Sequence, residues 1–328
     1  MADSSDVDTG LVEVIPSLYI SSLKPASSVD ILYQNRITHV LAVGLNMQSP
    51  FPNLCKYKIV SLEDSAEANL LECLPSAIEY ISQAISKDGR VLVHCVAGIS
   101  RSASIIVAYL MKAQKLEYEQ ALEILHQQHP RAEPNSGFEE QLRLFAELNY
   151  VVDLEETRYR RFLMTRMAQQ RDKLGYIPQL VLGCDPLKDA PIAGVPSITG
   201  GVQPIPRTGI RILQLRCKKC RRILVSKDNI MEHNPGAGET SFAYNKRGQG
   251  LGPNAQAKSK CNLFFIEPME WIHGLDDGSV EGKIQCPKCE SKLGSYNWSG
   301  SQCSCGEWIT PSFALQKSKV DEVTGPCP

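Results

Sequence analysis

The chain has 328 residues, 43% of them hydrophobic, with a formal net charge of −1. That length exceeds one ordinary core and predicts two domains. No run of about 18 apolar residues is present to span a bilayer as a helix, and the polar, acidic start MADSSDVDTG lacks the apolar stretch of a secretory signal.

The near-neutral total hides a division. Residues 1–150 carry 11 Lys+Arg against 18 Asp+Glu (net −7), residues 151–209 carry 8 against 6 (+2), and residues 210–328 carry 16 against 12 (+4). An acidic first half joined to a mildly basic second half points to a different partner for each, unless it is ordinary surface variation. Twelve cysteines are present. Without a signal segment, and with Cys-x2-Cys pairs, reduced thiols serving metal and catalysis are expected rather than disulfides. Cys327 is second from the end and does not fit a prenylation motif.

In chain order, Glu13–Ser21 reads as an edge strand around one proline, and residues 25–35 read as a short helix entered through Pro25. Residues 37–43 and 57–62 are strand-like, the first apolar enough to be buried; His39 is read as a core histidine. Residues 70–86 carry apolar side chains at helical spacing. Val91–Val93 is a strand, and Ala103–Met111 is apolar nearly all round, as a helix through a core would be. Two further helical patterns cover residues 118–129 and 138–148, and His126 and His129 read as a solvent-facing pair. This alternation predicts an α/β domain over residues 11–150, after a disordered residues 1–10. A charged accessory helix is expected over residues 151–182, a Pro/Gly-rich linker over 183–209, a small domain over 210–316 and a tail over 317–328.

The strand and the buried helix are joined by His94–Ser102, HCVAGISRS. A loop opening a helix leaves backbone N–H groups unpaired at a positive helix end, where an anion binds. A cysteine there, near an arginine, readily becomes a thiolate. Cys95 is thus a nucleophile for phosphorus, with the amides of Val96, Ala97, Gly98, Ile99, Ser100 and Arg101 and the Arg101 fork meeting charge on the equatorial oxygens. His94 can orient the loop, and Ser102 can donate to the sulfur as it leaves. A leaving oxygen needs a proton. Asp64 is the candidate donor, with Glu63 beside it as the competitor.

HCVAGISRSAS matches the HCxxGxxRS signature of cysteine-dependent dual-specificity protein phosphatases. The resemblance extends over roughly residues 11–149 through IPSLYIS, HVLAV, Glu63-Asp64 and PNSGFEEQL. It implies a central, mostly parallel sheet flanked by helices, with Cys95 as nucleophile, Arg101 as phosphate binder and Asp64 as general acid. Asn135 either helps hold the site or caps a helix. The family's shallow pocket implies phosphotyrosine and phosphoserine/threonine in proteins as substrates, with no cofactor for the chemistry. The loop's lack of lysine disfavours a polyphosphorylated lipid.

Cys217-x2-Cys220 and Cys286-x2-Cys289 are two tetrahedral-metal half-sites. His233, Cys261, Cys303 and Cys305 complete eight soft ligands, the number for two structural zinc ions stabilising a small, mainly-β domain. Pairing the two Cys-x2-Cys units on one ion leaves the other four residues for the second; His273 is the rival histidine. Trp271, Trp298 and Trp308 are expected in that small core. Lys218, Lys219, Arg221 and Arg222 could meet nucleic-acid phosphate or an acidic protein, or form a solvated face. With EPMEWI, CPKC, KLGSYNW and CSCGEWITP, the whole chain resembles the zinc-binding dual-specificity phosphatases of the Yvh1 family. That resemblance implies a role in large ribosomal subunit maturation in nucleus and cytoplasm. The zinc module would bind the pre-60S particle through protein or rRNA, with no membrane partner. The alternative it implies is a mainly non-catalytic assembly factor.

Overall fold

In a computed structural model, which describes residues 10–175, 180–187, 211–233, 261–275 and 277–326, the chain divides between Glu156 and Thr157 into two units. The expected disordered start lies outside the described residues except for Gly10, as does most of the expected linker.

The first unit opens with a hairpin, β1 (Val12–Ile15) and β2 (Leu18–Ser21). The single edge strand read from the sequence is therefore two strands. The chain reverses at Pro16-Ser17, where Ser17 takes a positive φ of 70°. Two short helices follow, α1 (Leu23–Ala26) and α2 (Val29–Gln34). Next come β3 (His39–Val43), β4 (Lys56–Val60), α3 (Leu70–Ile85) and β5 (Val91–His94). Three helices complete the unit: α4 (Arg101–Gln114), α5 (Tyr118–Gln128) and α6 (Ser136–Glu147). The sheet order is β1-β2-β5-β3-β4, parallel except for the hairpin.

Every residue of β5 is buried, as expected of a central parallel strand covered on both faces. Helix α4 buries Ile105, Ile106, Val107, Leu110 and Met111 completely, each worth about 1.5–3 kcal/mol relative to exposure. The strand and helix that carry the HCVAGISRS loop are thus both anchored in the core, and the loop is held at both ends.

The second unit begins with α7 (Thr157–Leu174). The sequence presents this helix as a separate charged bridge. Instead Met164 and Met167 enter the same core as Trp271, Trp298 and Phe313, and Arg160 pairs with buried Glu267 at 3.0 Å. Strands β6 (Arg211–Cys217), β7 (Ile223–Ser226), β8 (Ile230–Met231) and β9 (Leu263–Ile266) follow. Then come β10 (Glu281–Gln285), β11 (Lys292–Asn297), β12 (Ser301–Gln302), β13 (Trp308–Ile309), β14 (Ser312–Gln316) and β15 (Val320–Pro326). They form sheets β10-β11-β14-β9-β8, β15-β6-β7 and β12-β13.

Three sequence expectations change here. The tail over 317–328 contains β15, which pairs along β6 from Val320–Cys217 to Pro326–Arg211. Gly183, placed in the linker, bridges to Met269. Trp271 and Trp298 are buried, but Trp308 is 59% exposed; its indole donates to Thr310 Oγ1 at the surface.

Candidate active site and cysteine clusters

Strand β5 lies between β2 and β3, with Val93 opposite Ile20 and Leu41. Cys95 therefore emerges at the carboxyl end of the sheet's middle strand, and its side chain is buried. In the loop that follows, the carbonyls are turned outward and held. Cys95 O accepts from His94 Nδ1 (3.3 Å), Val96 O from Leu23 N (3.0 Å) and Gly98 O from His129 Nε2 (2.8 Å). Ile99 O accepts from Glu133 N (2.9 Å), and Ser100 O from Ser104 N and Oγ (each 2.8 Å). In a planar trans peptide the N–H points opposite to the C=O. Holding these carbonyls out turns the following N–H groups in, which is the cradle an oxyanion needs.

Gly98 is required for this geometry. Its φ is +74°, and a Cβ there would sit 2.9 Å from the backbone of Ser21-Ser22. Its N–H reaches Cys95 Sγ at 3.2 Å, and Ser102 Oγ reaches the same sulfur at 3.2 Å. Two donors thus converge on the Cys95 sulfur. Val96 and Ala97 are exposed at the rim, and no loop residue between Cys95 and Arg101 carries a charge.

His94 is buried, and loss of hydration holds its imidazole below the ordinary value, partly offset by the bond to the Cys95 carbonyl. Because a carbonyl can only accept, Nδ1 carries the proton. His94 is a neutral brace, not a cation beside the thiol. His129 and His126 are not the solvent-facing pair read from the sequence. Each donates Nε2–H to a carbonyl, His129 to Gly98 and His126 to Ala132.

The acid follows the same construction. Asp64 lies on the loop after β4. Its Oδ1 accepts from Ser100 Oγ (2.7 Å) and Asn135 Nδ2 (2.9 Å), and its Oδ2 lies 3.3 Å from Arg101 Nε. Glu63 is exposed and, among the described residues, has neither hydrogen bond nor ion pair, so geometry separates the two acids. Asn135 fills both roles left open by the sequence. Its Oδ1 caps α6 by accepting from Phe138 N (3.0 Å), while its Nδ2 holds Asp64.

Three positions that hold this arrangement escaped sequence reasoning. A Cβ on Gly137 would lie 2.0 Å from Ala66 O, so glycine alone lets α6 approach the acid-bearing loop this closely. Gln141 is fully buried; its Oε1 accepts from Leu70 N (2.8 Å) and Leu71 N (3.3 Å), and its Nε2 donates to Ala68 O (3.0 Å). It satisfies free amides at the start of α3 and ties the acid loop to α6. A usable signal existed, since Gln141 lies on the apolar stripe of Phe138, Leu142 and Phe145. Gly44, just after β3, leaves room for Arg101, whose Nη1 would be 3.0 Å from a Cβ.

In the second unit, four thiols meet: Cys217 at the end of β6 with Cys220 just beyond it, and Cys286 and Cys289 between β10 and β11. His233, Cys261, Cys303 and Cys305 form another group; in each, the ligand atoms lie within 4.8 Å of one another. His273 belongs to neither. The sulfurs of Cys217 and Cys289 are 3.7 Å apart and those of Cys220 and Cys286 are 3.5 Å apart. A disulfide is about 2.05 Å, whereas the edge of a tetrahedron with 2.3 Å metal–sulfur bonds is about 3.8 Å. His233 Nε2 lies 3.4 Å from Cys261 Sγ and 3.3 Å from Cys305 Sγ, near the roughly 3.5 Å edge expected for one nitrogen and one sulfur on zinc. Within the first group, the Ser291 hydroxyl holds the Cys289 thiol well below its usual value, while loss of hydration pushes Cys286 up. Both groups have the donor chemistry and spacing to hold a metal ion.

A family profile described as "Dual specificity phosphatase, catalytic domain" matches residues 18–147, so the first unit is a phosphatase domain of that class. The chain is 34% identical to "Dual specificity protein phosphatase 12" of Mus musculus, over 95% of this chain and 88% of the mouse protein. It is also 34% identical to "Tyrosine-protein phosphatase yvh1" of Schizosaccharomyces pombe, over 95% of this chain and 85% of the yeast protein. A crystal structure of the Yvh1 phosphatase domain from Chaetomium thermophilum matches at 26% identity with a TM-score of 0.41, covering 44% of this chain and 99% of that domain. The chain belongs to the Yvh1 family of dual-specificity protein phosphatases, and it is a protein phosphatase.

The fit of Gly137 against Ala66 gives a direct check on the acid loop. Gly137→Ala should displace the loop and lower turnover of an aryl phosphate by on the order of 10–100-fold, the scale on which small misplacements act. A variant with unchanged turnover would show that the close approach is unimportant to the reaction.

Proposed function

We propose that the chain hydrolyses phosphotyrosine and phosphoserine/threonine in proteins through a cysteinyl-phosphate on Cys95. The observation that carries this reading is the convergence of Gly98 N and Ser102 Oγ on Cys95 Sγ, beneath a loop whose carbonyls are bonded outward. The thiolate attacks phosphorus, forming an S–P bond as the substrate's O–P bond breaks. Asp64 gives its proton to the departing oxygen. Arg101 and the amides of residues 96–101 meet the charge on the three equatorial oxygens. In the second step water attacks phosphorus, Asp64 takes a proton from it, and the S–P bond breaks with Ser102 donating to the leaving sulfur. His94 contributes by bracing the Cys95 peptide.

Cys95→Ser should abolish hydrolysis of an aryl phosphate in a chain that still folds. Asp64→Asn should lower turnover by about 10²–10⁴-fold, the range for a lost general acid, while Glu63→Gln should leave it nearly unchanged. A larger loss in Glu63→Gln would move the acid to that residue.

For the second unit we propose two structural zinc ions, one on Cys217, Cys220, Cys286 and Cys289 and one on His233, Cys261, Cys303 and Cys305. The near-tetrahedral spacing of both groups supports it. Metal analysis should find two zinc per chain, with Cys217→Ser and Cys303→Ser each losing one; loss of both from either single variant would mean that the groups share their ions or fold as one.

A second reading places the chain in nucleus and cytoplasm, where its zinc unit binds the pre-60S particle during large-subunit maturation and catalysis is dispensable. It is supported by the resemblance that runs through the C-terminal motifs and by the +4 charge of residues 210–328 beside the −7 of the first 150. Among the described residues no helix is long and apolar enough to cross a membrane. Deleting residues 157–328 should remove the protein from ribosomal gradient fractions while Cys95→Ser leaves it there; retention after the deletion would overturn this reading.

A further inference from the structure

A basin of about 380 Å³ lies beside the first cysteine cluster, lined by Lys218, Lys219, Ser291, Lys292, Ser318 and Lys319. Three separate chain segments supply the four lysines: the knuckle after β6, the first residue of β11, and the turn between β14 and β15. These segments are held together. Lys218 N donates to Lys319 O at 3.0 Å, and Ser291 Oγ lies 3.2 Å from Cys289 Sγ and 3.6 Å from Cys217 Sγ. The basin is therefore built on strand ends and the cluster itself rather than on a loose loop.

Its charge is uncompensated. All four lysines are exposed, and among the described residues none has a carboxylate partner, and no acid lines the basin. The neighbouring cations are occupied: Arg221 pairs with Asp321, Arg222 with Asp185, and Lys317 lies over the Phe264 ring. Four like charges converging on one concavity repel each other and are relieved by an anion.

The residue types narrow that anion. A phosphomonoester dianion on a peptide is typically gripped by arginine forks, yet both nearby arginines point to acids. Lysines are mobile point charges that follow a chain of singly charged phosphates without demanding one geometry. No aromatic ring lines the basin, so it offers no platform for stacking unpaired bases. We propose that this basin is a sequence-neutral binding site for the phosphodiester backbone of duplex nucleic acid. The inference is independent of the phosphatase chemistry and deepens the ribosomal reading by giving the zinc unit a chemically defined ligand.

The test uses the full, zinc-loaded chain and fluorescence anisotropy with short RNA and DNA duplexes of one sequence, from about 50 to 200 mM salt. Each lysine that neutralises a phosphate contributes about 0.9 to the slope of log affinity against log salt. The variant K218A/K219A/K292A/K319A should therefore lose roughly 3–4 from that slope, while keeping its zinc and its turnover of an aryl phosphate. Equal weakening for both duplexes identifies bare backbone charge as what is read; weakening for RNA alone identifies A-form geometry. An unchanged slope, or no duplex binding by the wild-type chain, overturns the proposal. So does tighter lysine-dependent binding of a doubly phosphorylated peptide, measured in a Cys95→Ser background to prevent its hydrolysis. Gradient association is read separately, so loss of duplex binding with retained association would sink this site and leave the ribosomal reading standing.

Discussion

The first unit depends on the orientation of a few peptide planes. A loop of uncharged residues can hold a phosphate only if its N–H groups face inward, and each inward N–H obliges a carbonyl to face the protein. An unpaired buried carbonyl costs about 1–3 kcal/mol, so the loop is stable only where partners wait outside it. Those partners come from four directions: the His94 ring, Leu23 of α1, His129 and Glu133 beyond α5, and Ser104 within α4. Helix α1 and the α5–α6 connection therefore share one purpose. The side chains of the loop are free to be small because backbone dipoles do the electrostatic work.

The second unit solves a harder problem with fewer apolar residues. Its core gathers around Trp298 and Phe313 and draws α7 in through two methionines. That leaves the ends of β6 and β10 to be closed by something other than hydrophobic packing. Two Cys-x2-Cys knuckles facing each other do this, and in the proposed zinc-bound form the ion links strands of two different sheets, β15-β6-β7 and β10-β11-β14-β9-β8. The pairing of β15 along β6 brings Lys319 beside Lys218. The chain's last described strand is thus part of the fold's closure.

Much of this was legible in the sequence because it is carried by local pattern. Periodicity located the buried strand and helix around Cys95, and spacing marked two Cys-x2-Cys half-sites among eight metal-binding candidates, while their division into two groups of four came from the fold. What was hidden is carried by pairs distant in sequence. Gly137 matters through Ala66, Gln141 through Leu70, Gly44 through Arg101 and His129 through Gly98, and none of these contacts has a one-dimensional signature. The charged helix misled for a related reason. Arg160 and Arg171 look solvated in sequence, but Glu267 and the Gly278 carbonyl receive them inside the second unit. The tail misled because β15 reads VDEVTGP, with two adjacent acids, a glycine and a proline, and its partner β6 lies about a hundred residues earlier.

Arg101 connects the two halves of the proposed reaction. One guanidinium faces two anions, the Asp64 carboxylate at Nε and the phosphate that its loop is shaped to receive. In the free site the Asp64 carboxyl group is held by Arg101, Ser100 and Asn135 together. A phosphate entering the loop competes for the same guanidinium and brings negative charge close to Asp64. In the proposed first step the same carboxyl group gives its proton to the leaving oxygen. Once the leaving group has gone, the carboxylate is needed again as a base toward water, and the Ser100 and Asn135 donors keep it within the site. The acid that matters is thus defined less by its place on the loop than by the arginine it shares.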